Sequence, residues 1–334
     1  MPLFRTIDTM KLYPLVFEPI LKEVIWGGEA ICRFKRTPCE RKGIGESWEV
    51  SALSDAVSVV STGSLSGKTL KDVLEMAPVE LLGQSVIDRF GKRFPLLVKF
   101  IDAAADLSVQ VHPDDTIAMA RHQTSGKTEM WYVIDALPGS KLVSGFSVPM
   151  DKEEYNRRVE NGTLEEVLQY IEVNPGDVFF LPSGRVHAIG AGIFLAEIQQ
   201  SSDITYRMYD YNRKDAQGQL RPLHVEEAGD AIDYTPVTET KTVYEERDND
   251  VVPLIRFSYF QVNRIRLTYK MELSRSYHAI DSFVLLVCMG GEGFLRYEGG
   301  VQPIMQGATI LLPALLKDVV IGTDSDCLLL EVYV

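Results

Sequence analysis

The chain of 334 residues is 46% hydrophobic and 24% charged, an ordinary globular composition with length for about two domains, which excludes collagen-like, disordered and disulfide-scaffold chains. Lysine and arginine number 34 against 47 acidic residues, a net charge of −13, so no basic face for nucleic acid is expected, although a few convergent cations can still hold one phosphate. No apolar run reaches the roughly 18 residues of a membrane span, and the opening MPLFRTIDTMKLYPLVF lacks a sustained apolar stretch and a small-residue cleavage site, so a cytoplasmic protein with no membrane partner is the expectation.

The residues before Met10 match no pattern and read as a frayed extension. After the cap-like Lys68-Thr69, Leu70 to Met76 reads as a helix. Strand-like runs rich in Val, Ile, Leu, Phe and Tyr follow at Phe94 to Ile101 and Leu107 to Val111, then a helix over Asp114 to His122 and a strand over Glu129 to Ile134. A long helix is expected over Asp151 to Tyr170, because Leu164, Val167, Leu168 and Ile171 keep helical spacing. Strands resume at Asp177 to Leu181 and Ile193 to Gln199. Residues 212 to 250 are polar, with NRKDAQGQ, TPVTETKT and EERDND, and strand pattern returns at Val251. This places a boundary near residue 238, giving domains 1–238 and 239–334.

A weak repeat links the two parts. Gly176 to Pro182 (GDVFFLP) and Gly307 to Pro313 (GATILLP) each hold a glycine, five mostly apolar residues and a proline. The glycine allows a turn with positive φ, the run makes a buried strand, and the proline ends it at a rim. The fold class is therefore mainly β, two small β-barrels with helical insertions. The second copy continues as Ala314, Leu315, Leu316, Lys317 and Asp318, without the glycine and histidine of the first, so it is expected to be a metal-free barrel covering the apolar flank of the other. Cys32, Cys39, Cys288 and Cys327 show no CxxC spacing and are expected to be reduced.

The first copy extends as Gly176-x5-Pro182-x-Gly184-x2-His187, which resembles the second signature of the cupin superfamily, a jelly-roll fold in which this histidine is a metal ligand. Upstream, LSVQVHPDD sets Gln110 and His112 two apart, on one face of a strand. Glu129 opens the strand EMWYVI and is placed to add an anionic ligand from a neighbouring strand. An O/N donor set without thiolate suits Zn²⁺ and also Mn²⁺, Fe²⁺ or Co²⁺.

LKEVIWGG, GESWEVSAL, LLVKFIDA, LSVQVHPDD, GKTEMWYV, PSGRVHAIG, AEIQQSSDITYRMYDYNR and RPLH, in this order from Tyr13 to Ala228, resemble the shorter bacterial form of the type I mannose-6-phosphate isomerases. The resemblance implies a metal-dependent interconversion of mannose 6-phosphate and fructose 6-phosphate through a cis-enediolate. It further implies one zinc held at Gln110, His112, Glu129 and His187, and an essential arginine at Arg207. Arg207 either stabilises the developing oxygen charge or holds the phosphate. Glu197, Asp210 and Lys127, all in matching segments, are candidates for the general base. Lys127 is equally a candidate phosphate contact, with Ser108 and Lys99. Trp48 and Glu49 are candidate linings of the sugar pocket. His122, His224 and His278 are expected to be structural or exposed. The chain lacks the long helical insertion of the larger forms. An Fe²⁺-dependent cupin dioxygenase and a non-catalytic sugar-phosphate-binding cupin are the rival readings. The first is disfavoured by Gln110, where such an oxygenase usually has a histidine, and the second by the intact ligand set. The expected partner is a small sugar phosphate, and the chain a monomer or homodimer.

Overall fold

The computed structural model describes residues 12–38, 41–214 and 218–334; the segment before Met10 lies outside these. The architecture is mainly β, with every strand pairing antiparallel. A six-stranded sheet runs in the order Val178–Leu181, Glu129–Ala136, Ile193–Gln200, Leu96–Ala103, Ile20–Gly28, Ile44–Val50. Facing it is a five-stranded sheet ordered Leu168–Glu172, Lys141–Phe146, His187–Ile189, Val109–Val111, Tyr206–Tyr209. Trp26, Ile101, Trp131 and Val133 from the first pack against Leu142 and Ile189 of the second. A nine-stranded sheet holds the strands from Val251–Arg256 to Cys327–Tyr333, joined by the N-terminal Leu15–Val16, which pairs with Thr309–Leu312. Sheet membership therefore departs from a single cut near residue 238 at this one strand.

The six-stranded sheet is covered on both faces. Along Leu96–Ala103 all eight residues are buried, which a strand with only one covered face does not allow. Alternation sends Leu96, Val98 and Phe100 outward into a core shared with Phe260, Leu285 and Leu330 of the nine-stranded sheet and with the helix residues Leu70 and Val73. The same alternation turns Lys99 and Ile101 inward. The repeated motif forms matching strands, Val178–Leu181 and Thr309–Leu312, each preceded by a glycine of positive φ (91° at Gly176, 76° at Gly307).

The helix Leu70–Met76 is closed at its start by a reciprocal capping box between Thr69 and Asp72, and Asp114 caps Asp115–His122. The long helix expected from Asp151 to Tyr170 is instead three elements: helix Lys152–Glu160, a 3-10 turn Leu164–Val167 and strand Leu168–Glu172. Asn161-Gly162, with Gly162 at φ 66°, stops the helix. Leu164 and Val167 keep their spacing because i and i+3 also share a side in a 3-10 turn. Cys288 and Cys327 are free and buried as expected, whereas Cys32 is disulfide-bonded, which corrects the expectation of four reduced thiols. Pairing is set by Cα separation in the fold, which residue spacing does not give. Among the described residues no helix is long and apolar enough to cross a membrane.

Candidate active site

Strand parity and register assemble the site. On the six-stranded sheet Glu129, Trp131, Lys99 and Glu197 all face inward, and Glu197 is the direct cross-strand partner of both Lys99 and Trp131. On the facing sheet Gln110 is flanked by His187 on one side and Arg207 on the other. Gly184, at φ 85°, makes the turn before His187, its N–H donating to the carbonyl of His112 at 2.9 Å.

His112, Glu129 and His187 are buried, with one ligand atom from each lying within 4.8 Å of the others. Nδ1–H of His112 donates to the Ile204 carbonyl and Nδ1–H of His187 to the Arg185 carbonyl, both at 2.8 Å. Those bonds leave each Nε2 lone pair turned toward Glu129, at 3.5 Å from Oε2 and 3.4 Å from Oε1 respectively. The Gln110 amide Nε2–H donates to His187 Nε2 at 3.3 Å, so this side chain joins the same cluster.

Burial, together with the charge of Lys127, keeps His112 neutral far below the usual imidazole range. Burial also lowers His187 to about 4, against the carbonyl of Arg185. Glu129 is pushed up, first by burial and then by the nearby charge of Glu197. Burial alone would raise Glu197 as well, but the Lys127 and Lys99 charges and the Trp131 indole hold it below the usual range.

The donors fit a divalent cation. Neither oxygen of the wholly buried Glu129 has a well-directed hydrogen bond, an expensive condition for a carboxylate unless a cation satisfies it. The Lys127 ammonium stands 2.9 Å from Glu129 Oε2 and 3.0 Å from His112 Nε2, so a positive charge already rests against these donors. Two neutral imidazoles and a carboxylate form an O/N set of the kind zinc accepts, and the Gln110 amide would add its Oε1 to this set if its two terminal atoms were exchanged.

Beside the cluster opens a cavity of about 370 Å³ whose wall includes Ser108, Gln110, Lys99, Lys127, Glu197 and Arg207. Glu197 lies 3.2 Å from Lys99 and 3.9 Å from Lys127 and accepts from Trp131 Nε1–H at 2.9 Å. Its Oε1 has no well-directed hydrogen bond. Arg207 donates through Nη1 to the Pro222 carbonyl at 2.9 Å, while its Nε is buried without a partner. His224 accepts the Arg207 backbone N–H at 3.2 Å and so supports that strand.

Three sequence candidates stand elsewhere. Asp210 is clamped by Arg213 and Arg221 at 2.5 Å each and is not part of the cavity wall. Glu49 points to the outer face, bound by Lys35 at 2.8 Å and Ser47 at 2.5 Å. Trp48 sits behind the wall, its Nε1–H donating to Glu46 at 2.6 Å with Lys99 5.0 Å from its ring. Sequence reasoning missed Glu46, Trp131 and Arg221. Parity was the available signal for the first two: Glu46 shares a face with Trp48, as Trp131 does with Glu129, whereas Glu49 is on the opposite face. Arg221 lies in the RPLH segment, where only the histidine drew notice.

The family model for the phosphomannose isomerase type I catalytic domain matches residues 15–132. Mannose-6-phosphate isomerase ManA of Bacillus subtilis is 39% identical over 323 residues, covering 96% of this chain and 99% of that one. A mannose 6-phosphate isomerase crystal structure from Bacillus subtilis superposes with a TM-score of 0.86 at 32% identity over 97% of this chain and all of the other. The fold is also that of a zinc-bound mannose 6-phosphate isomerase, with TM-score 0.78 at 17% identity, covering 96% and 99% of the two chains.

Proposed function

Since the chain belongs to the type I phosphomannose isomerase family, we propose that its cavity interconverts mannose 6-phosphate and fructose 6-phosphate with the side chains described above. The observation that carries the reading is a buried, under-bonded Glu129 between two neutral histidines, opening onto a cavity that also presents Glu197 and Arg207. His112, Glu129, His187 and Gln110 would hold one divalent ion, zinc by the donor set, though Mn²⁺, Fe²⁺ and Co²⁺ accept similar ligands. When bound, such an ion supplies Lewis-acid polarisation of the sugar oxygens at the reacting carbons.

The isomerisation takes a proton from C2 and returns one to C1 through a cis-enediolate. Glu197 is the base of this proposal. Asp210 is outside the cavity and neutralised by two guanidinium groups, and Lys127 spends its protons on His112 and Glu129. Glu197 is ionised and lines the cavity, and its Oε1 has no well-directed hydrogen bond although Lys99 stands 3.2 Å from it. Its low basicity is offset by positioning, which counts for more than a matched pKa when the carbon acid is held against it. Lys99 and Lys127 keep it charged. Arg207, with an uncommitted Nε, and Arg221 take the phosphate from the far wall, and Ser108 meets a sugar hydroxyl. We further propose a cytoplasmic enzyme, monomeric or homodimeric, in which residues 239–334 cover the catalytic unit without joining the chemistry.

A coupled assay with mannose 6-phosphate, before and after chelation and after zinc restoration, tests the reading. Activity is expected to vanish and return, and Arg207→Lys is expected to lose about 10²-fold in rate with its metal content unchanged. Full turnover in metal-free protein would overturn it.

A further inference from the structure

A second cavity, about 740 Å³ in volume, lies outside the catalytic one and shares none of its wall residues. It opens where the helices Leu70–Met76 and Gln84–Phe90 meet the start of strand Leu96–Ala103, the helix Asp115–His122 and Tyr259 from the other unit. Its wall carries four cations, Lys71, Arg89, Lys92 and Arg93, against two carboxylates, Glu75 and Asp115.

Asp115 is already committed inward, accepting from Gly126 N–H at 2.7 Å, from Gln200 Nε2–H at 3.1 Å and from the Tyr259 hydroxyl. Among the described residues no acidic side chain pairs with Lys71, Lys92 or Arg93. Acidic residues outnumber basic ones 47 to 34 in this chain, so a cluster of unneutralised cations in one concave place goes against the bulk charge. Like charges brought together repel, and an anionic occupant removes that repulsion.

Another part of the wall has a different chemistry. The guanidinium carbon of Arg89 lies 4.5 Å from the centroid of Phe90 and 5.2 Å from that of Tyr259, two rings whose centroids are 6.3 Å apart. Arg89 also donates to the Ser258 carbonyl, which ties the helix to the other unit. Leu74, Phe94 and Pro95 add apolar groups to the same wall. Unpaired cations together with an Arg–aromatic cluster are the two halves of a receptor for a phosphate ester joined to a planar ring.

We propose that this cavity binds a nucleotide-type ligand, its phosphates held by Lys71, Lys92 and Arg93 and its base laid against the Arg89–Tyr259 cluster. The site is independent of the catalytic reading, and it can be tested with mannose 6-phosphate kept saturating so that the catalytic cavity is filled. Calorimetric titration of the metal-replete protein with ADP, inorganic pyrophosphate and adenosine is the experiment. ADP is expected to bind once per chain, pyrophosphate more weakly and adenosine least. The double variant Lys92→Ala/Arg93→Ala removes two exposed charges and should weaken ADP by about tenfold, with isomerase activity retained as the check on folding. Tyr259→Leu should weaken ADP and leave pyrophosphate unchanged. No binding of ADP or pyrophosphate at millimolar concentration overturns the proposal, as does ADP binding unaffected by the double variant. Pyrophosphate binding as tightly as ADP removes the base from the assignment and overturns the nucleotide class.

Discussion

Trp131→Phe isolates one hydrogen bond at the centre of the proposed chemistry. The indole is fully buried and its Nε1–H donates to Glu197 Oε2 at 2.9 Å; phenylalanine keeps a ring in the core but removes the donor. A hydrogen bond to a buried charge is worth about 1.5–3 kcal/mol, and the smaller ring costs about another 1 kcal/mol in packing. Glu197 titrates below its usual range in the folded chain, so the stability it contributes is full above the unfolded carboxylate pKa and is lost as pH falls through the lower folded value. Losing the donor brings the folded pKa back up while the larger Lys127 and Lys99 charges continue to hold it down, which shrinks that contribution and moves the acid limb of kcat to higher pH. A fall in Tm of about 5–10 °C follows from a loss of this size in a large domain. Trp131 meets His187 only edge-on, at 5.4 Å, so metal content should not change. Thermal unfolding, a kcat–pH profile and metal analysis on one preparation decide the matter. An unshifted acid limb with unaltered metal content would show that Glu197 is not the group whose ionisation the rate follows.

Further outcomes follow from the same geometry. His187→Ala should lose the bound ion, since removing one ligand of a small set lowers affinity severely, and full occupancy by metal analysis would refute the ligand set. Asp210→Asn leaves Arg213 and Arg221 facing a neutral amide and should cost about 3 kcal/mol at neutral pH. The hydrogen bonds from Arg221 and Arg213 hold Asp210 below its usual pKa despite burial, so denaturant titrations should find the gap between wild type and variant closing as pH drops below about 4. A fragment ending at residue 238 should aggregate because it exposes the outer face of the six-stranded sheet; a soluble, fully active fragment would contradict this.

Much of the site was legible because strand parity is local. Gln110 and His112 two apart, and the glycine–proline frame before His187, specify which side chains share a face without knowledge of the fold. What parity does not give is which of two faces is the inside. In GESWEV the charged residues fall on both faces, and choosing Glu46 over Glu49 required knowing that Lys35 waits on the outer side. Asp210 shows another limit: its two guanidinium partners lie 3 and 11 residues away along the chain, and only the fold turns that nearness into a clamp. The helix expected from Asp151 to Tyr170 failed for a third reason. Apolar spacing continued across Asn161-Gly162, where the backbone had changed hand, and periodicity alone does not register that break.

The six-stranded sheet also gives a physical reason for the proposed catalytic cluster to be attached to so large a second unit. Its inner face carries Lys99, Glu129 and Glu197, all nearly or wholly removed from water, and each buried ion costs several kcal/mol even after pairing. The same strands carry Leu96, Val98, Phe100, Met130 and Ile198 on the other face, each at zero exposure in the core shared with the nine-stranded sheet. Full burial of five such side chains contributes about 10 kcal/mol as an upper figure, comparable to the desolvation the inner face must bear. Antiparallel pairing then converts outer packing into inner precision, because a strand that slips by one residue would exchange the apolar set for the charged one. On the proposed chemistry the second unit thus needs no residue in the cavity to matter: its packing supports the register that keeps Glu197 beside Lys99 and Trp131.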